Sequence, residues 1–392
     1  MYALGASPSV IRAIFEYSLR RRAEIGEENV FDFSIGNPSV PPPAAVTDAL
    51  LALVRDEPPV ALHGYTSGPG AFSTRVGISE DYRRRFGVPV RPEDVYVTCG
   101  AAASLTVTLS ALCEPGDEVI LLSPFFPEYR VFVERAGGVP VVVPCRPDDF
   151  QPDVPAIAAA VTPRTRALIV NTPNNPTGVA YTPAVMAGLA DALARASERV
   201  GRPVYLISDE PYRELVYDRP VADSPMKLYP RTVVCYSYSK SLSLPGERIG
   251  YIALAPDMPQ GGEVFAAICG AGRALGFVCA PSLMQKLITA CPGMTADLSV
   301  YRANRDLLFD ALTEDGFDCV RPDGAFYLFV RSPLPDAAAF SEEAKKEEIL
   351  FVPSDSFGTP GYVRIAYCVA PDVIRRSLPA FARLAVRCGL KK

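Results

Sequence analysis

The stretch from about residue 95 to residue 253 alternates short apolar segments with helical segments, and this alternation constrains the fold more than any other feature. Continuously apolar strands separated by helices are typical of a mostly parallel sheet with helices on both faces. We therefore predict an α/β fold with a seven-stranded sheet. The predicted strands cover residues 95–98, 118–122, 139–143, 167–170, 204–207, 232–235 and 249–253. The helices between them are predicted at residues 101–112, 126–136, 155–161 and 183–200.

The chain has 392 residues, which is longer than a single hydrophobic core usually extends. We predict a large domain over residues 44–278 and a smaller α+β domain that combines residues 1–43 with residues 279–392. The proline-rich stretch 38–43 marks the crossing between the two domains. Ligands of such sheets bind beyond the carboxyl ends of the strands, so the polar loops there are candidate site residues.

Composition argues against several classes of function. The net charge is −5 and no dense block of lysine and arginine occurs, so we expect no nucleic-acid or anionic-membrane partner. His63 is the only histidine and no cluster of metal-ligand residues is present, so we expect no metal site. Neither the G-x-S-x-G turn of serine hydrolases nor a P-loop pattern occurs.

The sequence also carries expectations about location. No run of about 18 apolar residues occurs, so we expect no membrane span. The first 28 residues lack a continuous apolar segment and a small-residue cleavage site, so we expect no signal peptide. The ten cysteines contain no C-x-x-C pair and are predicted to be reduced thiols. The predicted location is the cytoplasm.

Two stretches that follow predicted strands could bind an anion or form an imine. The stretch 100–102 lies between a strand and a helix, where free backbone N–H groups attract anions. Ser237 and Ser239 precede Lys240, and a lysine beside small hydroxyl residues is a candidate imine-forming amine. Taken singly, the first stretch also fits an ordinary turn and the lysine also fits a surface position.

Three further candidates follow or interrupt strands. The Pro/Asn loop 171–178 and the turn 208–212 each follow an apolar strand, where a side chain could point at a ligand. Arg364 lies inside an apolar β-rich run, and it needs an anionic partner if it is buried. Singly, these features also fit plain turns and an exposed position on an alternating strand.

The five stretches together resemble the class I/II aminotransferases of the pyridoxal-phosphate (PLP) fold type I superfamily. The resemblance extends over nearly the whole chain, from Gly36 to Arg364. It implies PLP as the cofactor and the ping-pong exchange of an amino group between an L-amino acid and a 2-oxo acid, with 2-oxoglutarate as the expected acceptor. The motifs are N-N-P-T-G at 174–178, D-E-P-Y at 209–212, S-x-S-K at 237–240 and E-R-I-G at 247–250.

The resemblance implies a role for each matching residue around the cofactor ring. Lys240 would bind the PLP aldehyde and then move a proton as general base and acid. Asp209 would pair with the pyridine nitrogen, while Tyr212 and Asn175 would hydrogen-bond the 3-oxygen of the ring. Phe126 takes the place of the aromatic residue that stacks on the ring.

A second set of residues matches the family's sites for the cofactor phosphate and the substrate carboxylate. Arg364 would grip the α-carboxylate with a two-pronged pair, and Gly36 and Asn175 would contact the substrate as well. Tyr65 resembles the tyrosine that reaches the phosphate of the neighbouring subunit, which implies a homodimer with shared active sites. The residues that match the phosphate cup are Gly100, Ala101, Ala102, Ser237, Ser239 and Arg248.

Substrate choice is left open by the sequence. Some aspartate-specific relatives carry a lysine two residues after the strand-ending glycine, where it holds a second carboxylate, and Ala102 stands at that place here. Arg273 could hold a distal carboxylate, or it is a surface arginine. We interpret His63 as structural.

Two alternatives stand beside the aminotransferase. A PLP-dependent C–S β-lyase of the same fold would use the same site residues. A non-catalytic PLP-binding regulator would carry an added DNA-binding domain, for which we expect no spare stretch of ~60–70 residues in this chain. The presence of the lysine, the aspartate and both arginines also favours an enzyme.

Overall fold

The computed structural model describes residues 2–6 and 10–391. The helices are α1 Tyr2–Ala6, α2 Val10–Ile25, α3 Ala44–Asp56, α4 Pro59–His63, α5 Phe72–Phe86, α6 Ala101–Leu112, α7 Glu128–Arg135, α8 Val154–Ala160, α9 Pro183–Val200, α10 Tyr238–Ser241, α11 Gly261–Ala274, α12 Ser282–Ala290, α13 Ser299–Glu314, α14 Ala337–Lys345 and α15 Pro371–Arg387. The strands are β1 Phe31–Asp32, β2 Val95–Thr98, β3 Glu118–Ser123, β4 Val139–Pro144, β5 Thr165–Asn171, β6 Tyr205–Asp209, β7 Thr232–Ser237, β8 Gly250–Leu254, β9 Tyr327–Arg331, β10 Ile349–Leu350, β11 Val352–Pro353 and β12 Tyr362–Ala366.

The large sheet has seven strands in the order β2-β8-β7-β6-β5-β3-β4. Strand β8 runs antiparallel to both of its neighbours, and the other pairs are parallel. Each strand overlaps one of the predicted apolar segments, so the predicted α/β fold with a mostly parallel seven-stranded sheet is confirmed.

Both faces of this sheet are covered by helices, as continuous apolar strands require. Along β3, Val119 and Leu121 pack in one core cluster with residues of α6. Ile120 and Leu122 point to the other face, where they pack in a second cluster with residues of α8 and α9. Alternate residues of one strand therefore bury themselves in two different cores.

Local signals explain where the helices begin and end. Helix α9 covers the predicted residues because Thr182 caps it by accepting a hydrogen bond from the Val185 N–H, and because Pro183 fits the first turn. It ends at Gly201, whose φ of +68° suits a glycine. Helix α7 begins two residues later than predicted, directly after Pro127.

A smaller unit is built from both ends of the chain. Strands β11, β12 and β9 form an antiparallel sheet, and the short β1 pairs with β10. Their core includes residues of α13, α14 and α15. Helix α12 lies beyond the predicted domain boundary at residue 278, yet Met284, Leu287 and Ile288 pack in the core of the large sheet. On packing, this helix belongs with the large sheet.

The helices carry no membrane-spanning candidate. Over residues 2–6 and 10–391, none of them is long and apolar enough to cross a bilayer.

Candidate active site

A cavity of about 280 Å³ opens where the parallel strands end. Strand β6 ends at Asp209 and β5 ends at Asn171, so both side chains reach the same sheet edge. Tyr327 and Arg364 of the small unit close the other side. Among the predicted site residues, the structure brings nine to this cavity: Gly36, Ala101, Ala102, Phe126, Asn175, Asp209, Tyr212, Lys240 and Arg364.

Lys240 lies in the short helix α10, and its amine points into the cavity. Nζ donates a hydrogen bond of 2.6 Å to the carbonyl oxygen of Gly36 and lies 5.4 Å from the centre of the Phe326 ring. Burial lowers the pKa of Lys240 to about 8, and the positive charges of Arg248 and Arg364 act in the same direction. An appreciable fraction of the amine is therefore neutral near neutral pH, as a nucleophile or general base must be.

Asp209 is buried with one oxygen unsatisfied. Tyr129 donates a hydrogen bond to Oδ2, whereas Oδ1 has no hydrogen-bond partner among the described residues. Burial raises the pKa of Asp209 to about 7, although the Tyr129 bond opposes the shift. A buried acceptor without a partner is costly, so a ligand that places an N–H at Oδ1 would be stabilised there.

The residues predicted to hold a phosphate lie together at the start of α6. Gly100 precedes this helix with a φ of +91°, and no side chain caps the free N–H groups. The hydroxyls of Ser237 and Ser239 are 2.7 Å apart, and Arg248 Nη1 lies 3.3 Å from the Ser239 hydroxyl. The φ of +91° favours glycine at this position, and a Cβ there would also crowd Arg248 Nη2 at 2.7 Å. A helix start, a guanidinium and two hydroxyls are groups suited to binding an anion.

Arg364 is a buried cation, with only 2% of its surface exposed. Nη1 donates to Asn175 Oδ1 at 3.1 Å and Nη2 donates to the Ser34 carbonyl at 2.6 Å, while Nε has no partner among the described residues. Among the described residues, no carboxylate forms an ion pair with Arg364. The centre of the Tyr327 ring lies 4.7 Å from its guanidinium carbon. A buried guanidinium without a counter-ion suits an anionic ligand.

Other predicted residues lie outside the cavity. Tyr65 is 92% exposed, and neither it nor His63 lines the cavity wall. Arg273 is exposed on α11, also away from the cavity. Their positions therefore give these three side chains no role in the cavity of their own subunit.

Two tyrosines that the sequence did not single out complete the site. Tyr129 holds Asp209, and the Tyr327 hydroxyl lies 2.9 Å from that of Tyr212. The only signal for Tyr129 was its position three residues after Phe126. Tyr327 lies in an apolar run that predicts a strand and nothing more.

The site can be compared with known proteins. The family model "Aminotransferase class I and II" matches residues 28–381. The chain belongs to this family. The aspartate/prephenate aminotransferase of Thermus thermophilus is 34% identical to this aminotransferase over 82% of this chain and 83% of the relative.

Solved structures support the same assignment. The crystal structure of an amino transferase from Eubacterium rectale has a TM-score of 0.97 and 49% identity over 99% of this chain and 98% of that chain. The aspartate aminotransferase from Thermus thermophilus with maleate has a TM-score of 0.85 and 30% identity, covering 96% and 97% of the two chains. The fold is therefore that of PLP fold type I, and the protein is a PLP-dependent transaminase.

The residues of this aminotransferase fit its family's cofactor. The unsatisfied Oδ1 of Asp209 offers an acceptor for a protonated ring nitrogen. The free start of α6 with Arg248 offers an anion site, and Lys240 lines the same cavity. The unpartnered acceptor and the glycine beside the guanidinium are both compatible with bound PLP.

Proposed function

We propose that this aminotransferase transfers the amino group of an L-amino acid to a 2-oxo acid, with 2-oxoglutarate as acceptor, by a ping-pong mechanism. The observation that carries the proposal is one cavity that holds both Lys240, whose pKa is lowered, and the buried Arg364, which has no counter-ion among the described residues. An amino acid presents an amine and a carboxylate to such a pair. The relatives named for aspartate, prephenate and maleate support a carboxylate-containing substrate.

In this proposal the substrate is oriented by Arg364 and the N-terminal segment. Arg364 binds the α-carboxylate through its Nε and Nη groups, since Nε has no partner among the described residues. Gly36 lets the backbone approach the carboxylate closely. The bound PLP supplies an electron sink for the negative charge that develops when the α-proton leaves.

Lys240 moves the proton. With PLP bound, the Lys240 amine would act as general base at the substrate α-carbon and then as general acid, giving the same proton back. Asp209 would hold a protonated ring nitrogen at Oδ1, and a cation there would lower the pKa of this carboxyl from about 7. Phe126 and the phosphate cup fix the ring against rotation.

The decisive test is the visible spectrum of the loaded protein during single half-reactions. Each L-amino acid of a panel is added without any oxo acid, and the absorption is recorded before and after 2-oxoglutarate is supplied. We expect the band to bleach with the true donors and to return with 2-oxoglutarate, because a ping-pong enzyme keeps the amino group between the two steps. Donors would be identified by the rate of bleaching.

Two outcomes would contradict this proposal. A band that persists while pyruvate and ammonia are released would assign the protein to the C–S β-lyases, which share the site residues. If none of the added amino acids bleaches the band of the loaded protein, the aminotransferase proposal is refuted. Return of the band with another oxo acid, but not with 2-oxoglutarate, would correct the acceptor alone.

The homodimer belongs to the same proposal. Val60, Tyr65 and Phe72 expose large apolar surfaces within a short stretch of chain, and Val278 exposes another. The Val278 carbonyl lies 3.7 Å from where a Cβ on Gly68 would stand, so the backbone at Val278 lies beside the stretch that carries Tyr65 and Phe72. Contiguous exposed apolar surface marks association sites, and a second copy of the chain is the proposed occupant.

A hybrid dimer tests whether Tyr65 acts in the partner's site. Tyr65→Phe should weaken PLP binding about 10-fold, because a hydrogen bond to a charged group is lost. In a hybrid with Lys240→Ala, the one site that keeps Lys240 receives the intact Tyr65 of the other subunit. We expect that site to bind PLP as the wild type does. Weakened binding in the hybrid would place Tyr65 in its own subunit's site.

The cytoplasmic location is also part of the proposal. All ten cysteines are free thiols, and six of them are only partly buried. Free, accessible thiols are typical of a reducing compartment. Fractionation of the native host would test the assignment.

A further inference from the structure

Tyr327 lies between the side chains proposed to face the cofactor and those proposed to face the substrate. It starts β9 and is buried, with 2% of its surface exposed. Its hydroxyl is 2.9 Å from the Tyr212 hydroxyl, and its ring centre is 4.7 Å from the guanidinium carbon of Arg364. No family motif in the sequence includes this residue.

The Tyr327 hydroxyl is held in place from a second side. A Cβ at Gly36 would lie 2.1 Å from the Tyr327 oxygen, so the backbone of Gly36 packs directly against it. The carbonyl of the same glycine accepts the hydrogen bond from Lys240. The hydroxyl therefore has little freedom to turn away from Tyr212.

The proton inventory of the two tyrosines leaves one phenolic proton beyond the one that their hydrogen bond uses, since either hydroxyl can be the donor. Burial raises the pKa of Tyr327 to about 12 and moves that of Tyr212 well above its ordinary value, so both keep their protons at neutral pH. A phenol has one proton to donate. Because one proton suffices for the bond between them, the other is free to point into the cavity.

We propose that Tyr327 is a positioning residue that donates its proton to Tyr212 and thereby directs the Tyr212 proton at the 3-oxygen of the cofactor ring. The inference rests on the proposed function, in which Tyr212 faces that oxygen. A hydroxyl that accepts a hydrogen bond is polarised and becomes a stronger donor. Tyr327 thus stabilises the anionic form of the 3-oxygen without touching it.

Tyr327→Phe removes the hydroxyl and keeps the ring that packs on Arg364. The readout is the pH midpoint at which the visible absorption of the bound cofactor changes. We expect the midpoint to rise by about 0.3 to 1 pH unit, since a weaker donor stabilises the anionic oxygen less. The KM for the amino donor should stay within about threefold, because Arg364 is unchanged.

A double-mutant cycle asks whether Tyr327 acts through Tyr212. Tyr212→Phe should raise the midpoint more than Tyr327→Phe does. In the Tyr212→Phe background, Tyr327→Phe should cause no further shift of the midpoint, because the Tyr212 hydroxyl through which it acts is already absent. An equal shift in both backgrounds would overturn the inference, and so would an unshifted midpoint in the single variant.

Failure here is distinguishable from failure of the proposed function. If Tyr212→Phe leaves the midpoint unchanged, Tyr212 does not face the 3-oxygen and this inference falls, although bleaching by amino acids would still support the aminotransferase. Tyr362→Phe is the matched control. Tyr362 lies in the same small sheet, stacks on Phe329 at 4.8 Å and lines a different part of the surface. The pH midpoint of the Tyr362→Phe variant should therefore equal that of the wild type.

Discussion

Replacement of Lys240 by alanine is expected to reduce turnover by at least about 10³-fold and to abolish the covalent cofactor band. Proton transfer by a positioned side chain contributes about 10²- to 10⁴-fold, and the same amine is the proposed attachment point of the cofactor. Lys240 is the amine that lines the described cavity, so no neighbouring side chain of that wall can replace it. Turnover and the visible spectrum are measured on the same sample.

Lys240→Arg is the matched variant for this prediction. Arginine keeps the positive charge that contacts the Gly36 carbonyl, but it cannot lose its proton at working pH. We expect it to be as inactive as the alanine variant, since the chemistry needs a neutral amine. Wild-type turnover in either variant would refute the assignment of Lys240, provided that thermal unfolding shows both to be folded.

Arg364→Ala should raise the KM for amino acids by about 10- to 100-fold and leave PLP bound. The change removes a charge-assisted pair worth roughly 1.5–3 kcal/mol, and each 1.4 kcal/mol corresponds to a factor of about ten. Asp209 and Ser239, which are proposed to hold PLP, bond to other partners than Arg364, since Asp209 accepts from Tyr129 and Ser239 contacts Arg248. Steady-state kinetics with an identified donor give the KM.

Two variants bracket that result. Arg364→Lys keeps a charge but loses the planar fork, so its KM should lie between those of the wild type and the alanine variant. Arg331 lies on the exposed end of β9 in the same small sheet, so Arg331→Ala should leave the KM unchanged. An unchanged KM in Arg364→Ala would mean that the substrate carboxylate binds elsewhere in the cavity.

The sequence predicts the large sheet well because its signals are local. A strand buried on both faces must be continuously apolar, and Asp209 could be placed at a ligand-binding edge because it follows such a strand. The same reasoning places Lys240 and Asn175 correctly at the cavity. The family motifs then tie these separated positions to a single site.

The rest of the site depends on contacts between distant parts of the chain. Tyr327 and Tyr212 are 115 residues apart, and nothing in the local sequence of either one indicates the other. Tyr129 reaches Asp209 across 80 residues in the same way. The packing of α12 could not be predicted from the sequence either, because no change in composition near residue 278 indicates that this helix packs on the large sheet.

The unsatisfied carboxylate oxygen of Asp209 has a consequence for how long the unloaded protein survives. The pKa of this group is about 7 in the folded protein and near 3.8 in an unfolded chain, so folding is favoured least above pH 7, where the buried carboxylate must be charged. A cofactor that places a cation at Oδ1 and binds only the native state would remove that cost. Binding of the cofactor is therefore expected to stabilise the folded protein. A cell short of cofactor would degrade this chain faster than a cell with an ample supply.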